Sequence, residues 1–167
     1  YLDLVTKAQN SSNQTAEQLM EGYIRAGGAA RSLGIDAKDA GIALGILANN
    51  GTKAGEGGRT LNAMLTRIAA NKEAVKQMNA LKISIFDAKG NFVGFEEALK
   101  RMNKGLDGLT MEEQAKALKN IAGTQYYTKM KYLLDGVKED ANGSASAWDD
   151  LDSKLSHAEG TLDEMDA

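Results

Sequence analysis

Few residues in this sequence have types and spacing that could do chemistry. The 167 residues include one histidine, His157, and no cysteine. Metal sites and histidine-dependent catalytic triads need further ligands or partners at defined spacing, so we expect His157 to be a solvent-facing helix residue. Without cysteine the chain can form no disulfide and has no thiolate nucleophile.

Three pairs of acidic residues are the remaining candidates for general acid–base catalysis. They are Glu96 with Glu97, Glu112 with Glu113, and Asp149 with Asp150. The pairs fall at predicted helix starts or in an acidic segment, and carboxylates in a first turn complement the helix dipole. Acid–base catalysis would need a pocket that raises a pKa, and the sequence indicates none. We therefore predict that the chain is not an enzyme and holds no metal or cofactor.

Two glycine-containing segments resemble ligand-binding loops only in part. Residues 55–58 (GEGG) lack the Lys-Ser/Thr ending of a phosphate-binding loop, and we interpret residues 52–58 as a connector that leads into a helix. The second segment has Gly90 where an EF-hand calcium loop needs glycine, but this register places Ile85 and Lys89 at ligand positions. Neither side chain offers an oxygen ligand, so a turn is the better interpretation.

Aromatic and basic residues alternate where Tyr126 and Tyr127 are followed by Lys129 and Lys131. Such a set could stack on nucleic-acid bases, but helical spacing turns Tyr126 and Met130 toward the core. The formal net charge of −3 also gives no basic footprint. We predict core packing with solvated lysines here, rather than a nucleic-acid interface.

The elements that position these residues are predicted to be helices. Ala, Leu and Met, which favour helices, number 50, whereas Val and Ile, which favour strands, number 12. Proline is absent from the sequence, and no apolar run reaches the roughly 18–20 residues that span a bilayer. The composition predicts an all-α, mostly helical fold.

Side-chain caps and glycine stops predict where helices begin and end. The predicted N-terminal caps are Thr15, Asp36, Thr110 and Thr124, and the predicted glycine stops are Gly34, Gly51 and Gly123. Residues 36–49 form a short, almost wholly apolar helix that we expect to be buried on more than one side. Residues 59–81 form the clearest amphipathic helix, with a break predicted near Asn71, where the apolar period is interrupted.

Several glycines lie inside predicted helices, where each costs about 1 kcal/mol relative to alanine. They are Gly22, Gly27, Gly28, Gly41 and Gly45. Small residues recur every fourth position at 22, 26 and 30 and again at 37, 41 and 45. Small residues in a ridge let two backbones approach closely, so we predict that these two helices form a tight antiparallel pair.

The apolar period changes from helical to alternating at residues 82–93. Ile83 and Ile85 precede the sequence from Asp87 to Gly90, and Phe92 follows it. Asp at the first position and Gly at the fourth fit a type I turn with a glycine bulge. We predict one small β-hairpin near 82–93, packed against helices because an isolated hairpin is only marginally stable.

Charge divides the chain near residue 138. Residues 138–167 contain nine acidic and two basic side chains, a net charge of −7, whereas residues 1–137 have a net charge of +4. We predict a compact multi-helix domain at 1–137 and an acidic helical extension at 138–167. The apolar residues of the extension have heptad-like spacing, and we interpret them as an assembly seam. They are Trp148, Leu151, Leu155 and Leu162.

Several separated motifs resemble the core region of phage tail tape measure proteins. They lie at residues 40–51, 53–65, 86–91 and 108–124, in the family's order, and the whole resemblance covers residues 1–137. The resemblance implies no catalytic residue in this chain, and we interpret the matching positions as structural. They are Gly41, Gly45, Asn49, Gly51, Gly58, Leu61, Asp87, Gly90 and Gly123.

The resemblance implies a structural component of a phage or prophage tail, made in the bacterial cytoplasm and carried in the virion. Family members are long helical chains inside the tail tube, which set tail length and leave ahead of the DNA. The implied partners are other copies of the chain in a homo-oligomer, the tail tube protein and tail assembly chaperones. The chain opens at Tyr1 in an apolar pattern, and we expect it to be a piece of a longer protein.

Two other functions stay open on the sequence alone. A helical binding module could use the net positive residues 1–137 to contact nucleic acid or membrane during genome delivery, although its lysines are scattered rather than clustered. An enzyme, such as a peptidoglycan-cleaving domain, would need a catalytic constellation that the 167 residues lack. We predict a protein that acts by protein–protein packing.

Overall fold

The computed structural model describes residues 27–139 and 142–166, and the side chains of these residues except Ala54 and 157–166. Residues 27–32 are helical, and seven further helices follow in the described part of the chain. These are α1 (Ala37–Asn49), α2 (Ala54–Ala70), α3 (Lys72–Ala80), α4 (Phe95–Leu106), α5 (Met111–Ala122), α6 (Tyr127–Gly136) and α7 (Ala147–Asp166). The prediction of a mostly helical fold is confirmed. The predicted cap at Thr15 and the helical Gly22 lie outside the described residues.

Three helix starts follow from side-chain caps that lie close to them in sequence. The carboxylate of Asp36 accepts from the backbone N–H of Asp39 at 2.8 Å and so begins α1. Asn71 ends α2 and caps α3, where its side chain accepts from the backbone N–H of Ala74. Thr110 begins α5 through a reciprocal capping box with Glu113. The predicted break near Asn71 and the caps at Asp36 and Thr110 are confirmed.

Two predicted helix starts are wrong. Residues 52–58 are not a connector, because α2 begins at Ala54 and includes the glycines of the GEGG sequence. These glycines lie in the first turns of α2, and Gly57 packs against Leu44 of α1. A Cβ placed on Gly57 would lie 3.4 Å from Cδ2 of Leu44. Thr124 does not cap α6, which begins at Tyr127 without a side-chain cap.

The predicted β-hairpin is reduced to a tight turn with one bridge. Asp87 accepts from the N–H of Gly90 at 3.0 Å and donates to the carbonyl of Asn91 at 2.8 Å, and Gly90 has φ +83°. The turn therefore has the predicted type. Phe86 and Phe92 form an isolated antiparallel bridge, and the described residues contain no strand. The hairpin prediction is not supported, because α4 begins at Phe95 and ends the extended segment after one pair.

Helix α1 lies at the centre of the core. Every residue from Ile42 to Ala48 is buried, because α1 packs against α2, α6 and α7 at once. The expectation that this helix is buried on more than one side is confirmed. Helix α5 packs against α2, α3 and α6, and α4 packs against α6. Among the described residues, no helix is long and apolar enough to cross a membrane.

Close backbone approaches occur at Gly105 and Gly136, two glycines that were not predicted, while the predicted tight helix pair falls largely outside the described residues. Gly45 is buried in α1, but Gly41 is half-buried, and no atom of the described residues lies within 4 Å of a Cβ placed on it. Gly41 therefore has no close neighbour among the described residues, and positions 22 and 26 of the helix predicted to pair with it lie outside them. A Cβ on Gly105 would overlap Ile83, with its Cδ1 at 2.8 Å, and one on Gly136 would lie 2.9 Å from Cδ1 of Ile46.

The acidic C-terminal segment is a helix that docks on the body. Trp148, Leu151 and Leu155 are 1%, 5% and 1% exposed and belong to the same hydrophobic core as α1. The ring of Trp148 meets that of Phe95 edge to face, with 5.8 Å between centroids. The prediction of an acidic tail that follows a separate compact body is not supported, since residues 147–156 complete the core. The division at residues 137 and 138 stays a prediction.

Candidate functional site

The paired carboxylates lie in the first turns of three helices. Glu96 and Glu97 begin α4, Glu112 and Glu113 begin α5, and Asp149 and Asp150 begin α7. Three of the six pair with a cation one turn further along the same helix. The distances are 3.8 Å for Glu96–Lys100, 3.0 Å for Glu97–Arg101 and 3.6 Å for Glu112–Lys116. Exposed pairs of this kind contribute only a few tenths of a kcal/mol each, so they support helices rather than form a catalytic pair.

The remaining chemical candidates also have structural surroundings. His157 lies in α7, and its side chain is outside the described residues. The GEGG sequence forms the first turns of α2, where Gly57 and Gly58 are buried. Asp87 uses one carboxylate oxygen to accept from the backbone N–H groups of Lys89 and Asn91, each at 2.9 Å. That oxygen closes the turn, as expected for Asp at this position.

The alternating tyrosines and lysines interact with their own chain. Lys119 Nζ lies 5.2 Å from the ring centre of Tyr127, and Lys129 Nζ lies 5.8 Å from that of Tyr132. Lys131 pairs with Asp135 at 3.6 Å. Cations over aromatic faces are weakly stabilising at exposed sites. The set is therefore occupied by intramolecular contacts, which does not favour a base-stacking surface.

The positions singled out from the family motifs are spread over the fold. Leu61 is fully buried in α2, Gly51 has φ +94° just after α1, and Asn49 is the exposed last residue of α1. Gly123 ends α5 with φ +90° and has the Arg67 side chain 3.7 Å from where a Cβ would lie. These positions serve turns, helix ends and the core, and they do not converge on one site. Their role as family-motif residues stays a prediction.

The predicted assembly seam faces inward in this arrangement. Trp148, Leu151 and Leu155 contact their own chain, as described above, and the side chain of Leu162 lies outside the described residues. Heptad spacing and one-sided burial on a globular body produce the same pattern of apolar residues. A seam built from these residues would require α7 to leave the body. The assembly role stays a prediction.

Charged residues from three helices meet where α7 docks, and the sequence did not reveal this. We call the cluster the acidic junction. It consists of Asp36, Lys38 and Asp39 at the start of α1, Glu96 and Lys100 on α4, and Asp149 and Asp152 on α7. Lys38 Nζ lies 3.0 Å from Oδ1 of Asp152 and ties α1 to α7. The first-turn position of each acid is visible in the sequence, but their meeting depends on how the helices pack.

The environment of the acidic junction disfavours charge on its carboxylates. The pKa of Asp39 is raised to about 6, chiefly by burial; Asp36, Asp152 and Glu96 act in the same direction, and Lys38 opposes them. Burial also raises the pKa of Glu96, and Asp149 and Asp152 act in the same direction. The hydrogen bond with Asp152 raises the pKa of Lys38, which keeps that ammonium charged. Perturbed pKa values mark functional sites and structural ion networks alike.

The open clefts of the described chain use their polar groups for packing. A cleft of about 640 Å³ between α2 and the end of α5 includes Asn62, Arg67 and Gly123. The side-chain oxygen of Asn62 accepts from the backbone N–H of Ala29 at 3.3 Å, and Arg67 donates to the Asn120 carbonyl. Among the side chains that the structure describes, no group of three or more from His, Cys, Asp or Glu could hold a metal ion.

Comparison with known proteins gives a family for this helical body. The family model of phage-related minor tail proteins matches residues 1–123. A tape measure protein of Pneumococcus phage Dp-1 is 30% identical over 138 residues, which is 82% of this chain and 12% of the relative. The chain thus spans about an eighth of the length of that relative, and no solved structure matches it. The chain belongs to the family of phage-related minor tail proteins.

Proposed function

We propose that this chain is a structural segment of a phage tail tape measure protein and acts by packing against other proteins. The observation that carries the proposal is the family match over residues 1–123, together with the similarity to a tape measure protein over 82% of the chain. The geometry agrees with it, because the motif positions serve turns and core packing. The segment would be carried in the tail of a virion, in a phage or a prophage.

The proposed partners are those implied by a place in the tail. They are other copies of the chain, the tail tube protein and tail assembly chaperones. Met111, at the start of α5, is 89% exposed although it is a large apolar residue, and contact with a partner would remove it from water. We propose a helical body at 1–137 against which the acidic segment 138–167 packs through Trp148, Leu151 and Leu155.

We propose no catalytic activity for this segment. Its carboxylates are occupied by ion pairs, helix ends and the acidic junction, and its tyrosines and lysines interact within the chain. The same engagement of lysines speaks against the alternative of a module that binds nucleic acid or membrane. Five lysines of the described residues pair with acids of their own chain, namely Lys38, Lys100, Lys116, Lys131 and Lys138.

An in-frame deletion in the encoding phage tests the structural role. Removing residues 27–139 takes out a segment that would span about 170 Å as a continuous helix at roughly 1.5 Å per residue. We expect lysates with missing or altered tails by electron microscopy, and peptides of this segment in wild-type virions by mass spectrometry. Infectious virions with unchanged tails would contradict the proposal.

Point variants distinguish a role of the segment's fold in tail assembly from a contribution of its length alone. Leu99 is fully buried in α4, so Leu99→Asp should disrupt the body and reproduce the assembly defect. Lys89, exposed in the turn after Asp87, is the matched control, and Lys89→Ala should give normal tails. If both variants assemble normally, the segment contributes length but its fold has no role in the tail.

A further inference from the structure

The docking of α7 depends on an interface between the first turns of three helices. Helix α7 packs on α1, and Trp148 in its first turn contacts Phe95, the first residue of α4. Leu151 and Leu155 extend the apolar part of this contact along α7. Since acidic residues occupy the first turns of all three helices, docking necessarily brings carboxylates of α7 beside those of α1 and α4.

Negative charge outweighs positive charge in the acidic junction. Its five carboxylates face two cations, and the closest cross-helix pair is Lys38 with Asp152 at 3.0 Å. Lys100 lies 3.8 Å from Oε2 of Glu96, and that oxygen is buried with no hydrogen-bond partner among the described residues. Asp36, Asp39, Glu96 and Asp149 are favoured by the N-terminal ends of their own helices, whereas Asp152 lies beyond the first turn of α7. Like charges held close together in a partly buried site repel one another.

We propose that the acidic junction makes the docking of α7 proton-sensitive. Helix α7 is held more firmly on α1 and α4 when a junction carboxyl is protonated, and it is released more readily when all of them are ionised. The apolar contacts of Trp148, Leu151 and Leu155 hold α7 on the body at every pH. The ionised carboxylates of the acidic junction repel one another across the helices and weaken that docking. The lysine pair with Asp152 keeps the helix docked when the acids are charged.

The direction of the pH effect follows from Asp39. Its folded pKa of about 6 lies above the ordinary value of 3.8, so the docked state binds a proton more readily than the undocked state. The repulsion is fully present above pH 6 and is relieved as the pH falls through about 6. If the whole shift arose from docking, linkage for this one group would change the docking equilibrium by roughly fourfold between pH 7.5 and pH 5.5. Because Asp36 lies on α1 and raises the pKa of Asp39 without α7, fourfold is the upper bound.

Release of α7 would change which surfaces the chain presents. Docked, Trp148 and Leu155 are each 1% exposed and cannot contact another molecule. Undocked, the heptad-spaced residues of α7 would face water and could pair with a second copy or another helix. The inference concerns this chain alone and does not rest on the proposed place in a tail.

Hydrogen exchange followed by mass spectrometry tests the proposal on the 167-residue chain. Protection factors, corrected for the intrinsic effect of pH, are compared for α7 residues 147–156 and for α5 residues 111–122. We expect α7 protection to rise from pH 7.5 to pH 5.5 by no more than about fourfold, and α5 protection to change much less. Trp148 is the only tryptophan in the sequence, so its emission wavelength gives a second measure of docking.

Variants assign the effect to the junction. Asp39→Asn should raise α7 protection at pH 7.5 and flatten its pH dependence, whereas Asp107→Asn, at the exposed end of α4, should leave both unchanged. Lys38→Gln should lower α7 protection at pH 7.5. Histidine ordinarily titrates near pH 6.5, so every variant also carries His157→Gln.

The outcomes are decisive in either direction. A pH-independent α7, or an Asp39→Asn chain that keeps the pH dependence of the Asp107→Asn chain, overturns the proposal. If Lys38→Gln lowers α5 protection as much as α7 protection, that variant has destabilised the whole fold. The proposal is then judged by whether Asp39→Asn flattens the pH dependence of α7 protection relative to Asp107→Asn. Flattening by Asp39→Asn alone supports the proposal.

Discussion

The guanidinium of Arg67 donates two hydrogen bonds to the carbonyl oxygen of Asn120, from Nε at 3.2 Å and from Nη2 at 3.0 Å. That carbonyl lies in the last turn of α5, where backbone oxygens have no partner within the helix. Nη2 also donates to Glu73 Oε2 at 2.7 Å. One half-buried side chain therefore ties α2 to the start of α3 and to the end of α5.

We expect Arg67→Ala to lower the free energy of unfolding by about 2 kcal/mol, because it removes charged hydrogen bonds and leaves a part-buried carbonyl unpaired. Arg67→Lys should recover only part of this, since an ammonium lacks the planar fork that reaches two acceptors. Arg59→Ala, at an exposed position of the same helix, is the control. Urea unfolding measures all three, and equal midpoints for Arg67→Ala and Arg59→Ala would refute the role of the guanidinium.

The capping box at Thr110 predicts a pH effect on α5. The backbone hydrogen bond with Thr110 lowers the pKa of Glu113 from its ordinary 4.5, and the threonine side chain acts in the same direction. A lowered folded pKa means that the stabilisation is present above pH 4.5 and is lost as the pH falls through the folded value.

We expect Thr110→Ala to cost about 1 kcal/mol of stability at pH 7 and to bring the pKa of Glu113 back toward 4.5. The titration is followed by NMR of the Glu113 side chain, and the stability by thermal unfolding. Thr110→Ser keeps the hydroxyl and should preserve both quantities. Because Thr110→Ala keeps the backbone N–H of residue 110, the pKa of Glu113 should rise only in part. Equal stability of wild type and Thr110→Ala at pH 7 would show that the threonine cap is not formed in solution.

Local signals predicted helix ends better than they predicted packing. Asp36 and Thr110 could be assigned because a cap bonds to an N–H three residues along the chain. The break near Asn71 could be predicted because the apolar period is interrupted there. The connector predicted at 52–58 failed because intrinsic propensity counts glycine against a helix, while the contact of Gly57 with Leu44 is tertiary. The hairpin failed similarly, since alternation of Ile83 and Ile85 reports burial on one side and not a paired strand.

The acidic junction could not be predicted from the same information. Each acid reads in the sequence as an ordinary first-turn residue, and nothing local indicates that α1, α4 and α7 begin at one place. The heptad spacing of Trp148, Leu151 and Leu155 correctly marks one apolar face of α7. It does not say whether that face meets another chain or, as observed, the body of its own chain.

The burial of α7 predicts how a charge on its apolar face would act. Leu155 is 1% exposed, and loss of a buried leucine alone costs about 2–5 kcal/mol. We expect Leu155→Asp to undock α7, which hydrogen exchange of residues 147–156 would detect, while Ser153→Asp on the exposed side leaves exchange unchanged. If the Leu155→Asp chain kept normal α7 protection but had a lower oligomer mass by light scattering, Leu155 would instead contact another copy of the chain, as the assembly-seam prediction states.

Two glycines inside helices predict opposite effects of the same substitution. A Cβ on Gly105 of α4 would overlap Ile83, with Cδ1 at 2.8 Å and the carbonyl oxygen of Leu81 at 3.2 Å. A Cβ on Gly41 of α1 would meet no atom of the described residues within 4 Å. Gly105→Ala should therefore lower the free energy of unfolding by about 1–3 kcal/mol through overpacking. Gly41→Ala should raise it by about 0.5–1 kcal/mol, because alanine has less backbone entropy to lose.

A double-mutant cycle with Ile83→Ala tests the reason for the difference. Without the isoleucine side chain, the main obstacle to a methyl group at position 105 is gone, although the Leu81 carbonyl remains. Gly105→Ala should then cost less than it does in the wild-type background, whereas the gain from Gly41→Ala should be the same in both, since independent sites are additive. An unchanged cost at position 105 would mean that Ile83 does not press against α4 in solution, and that glycine is required there by the backbone alone.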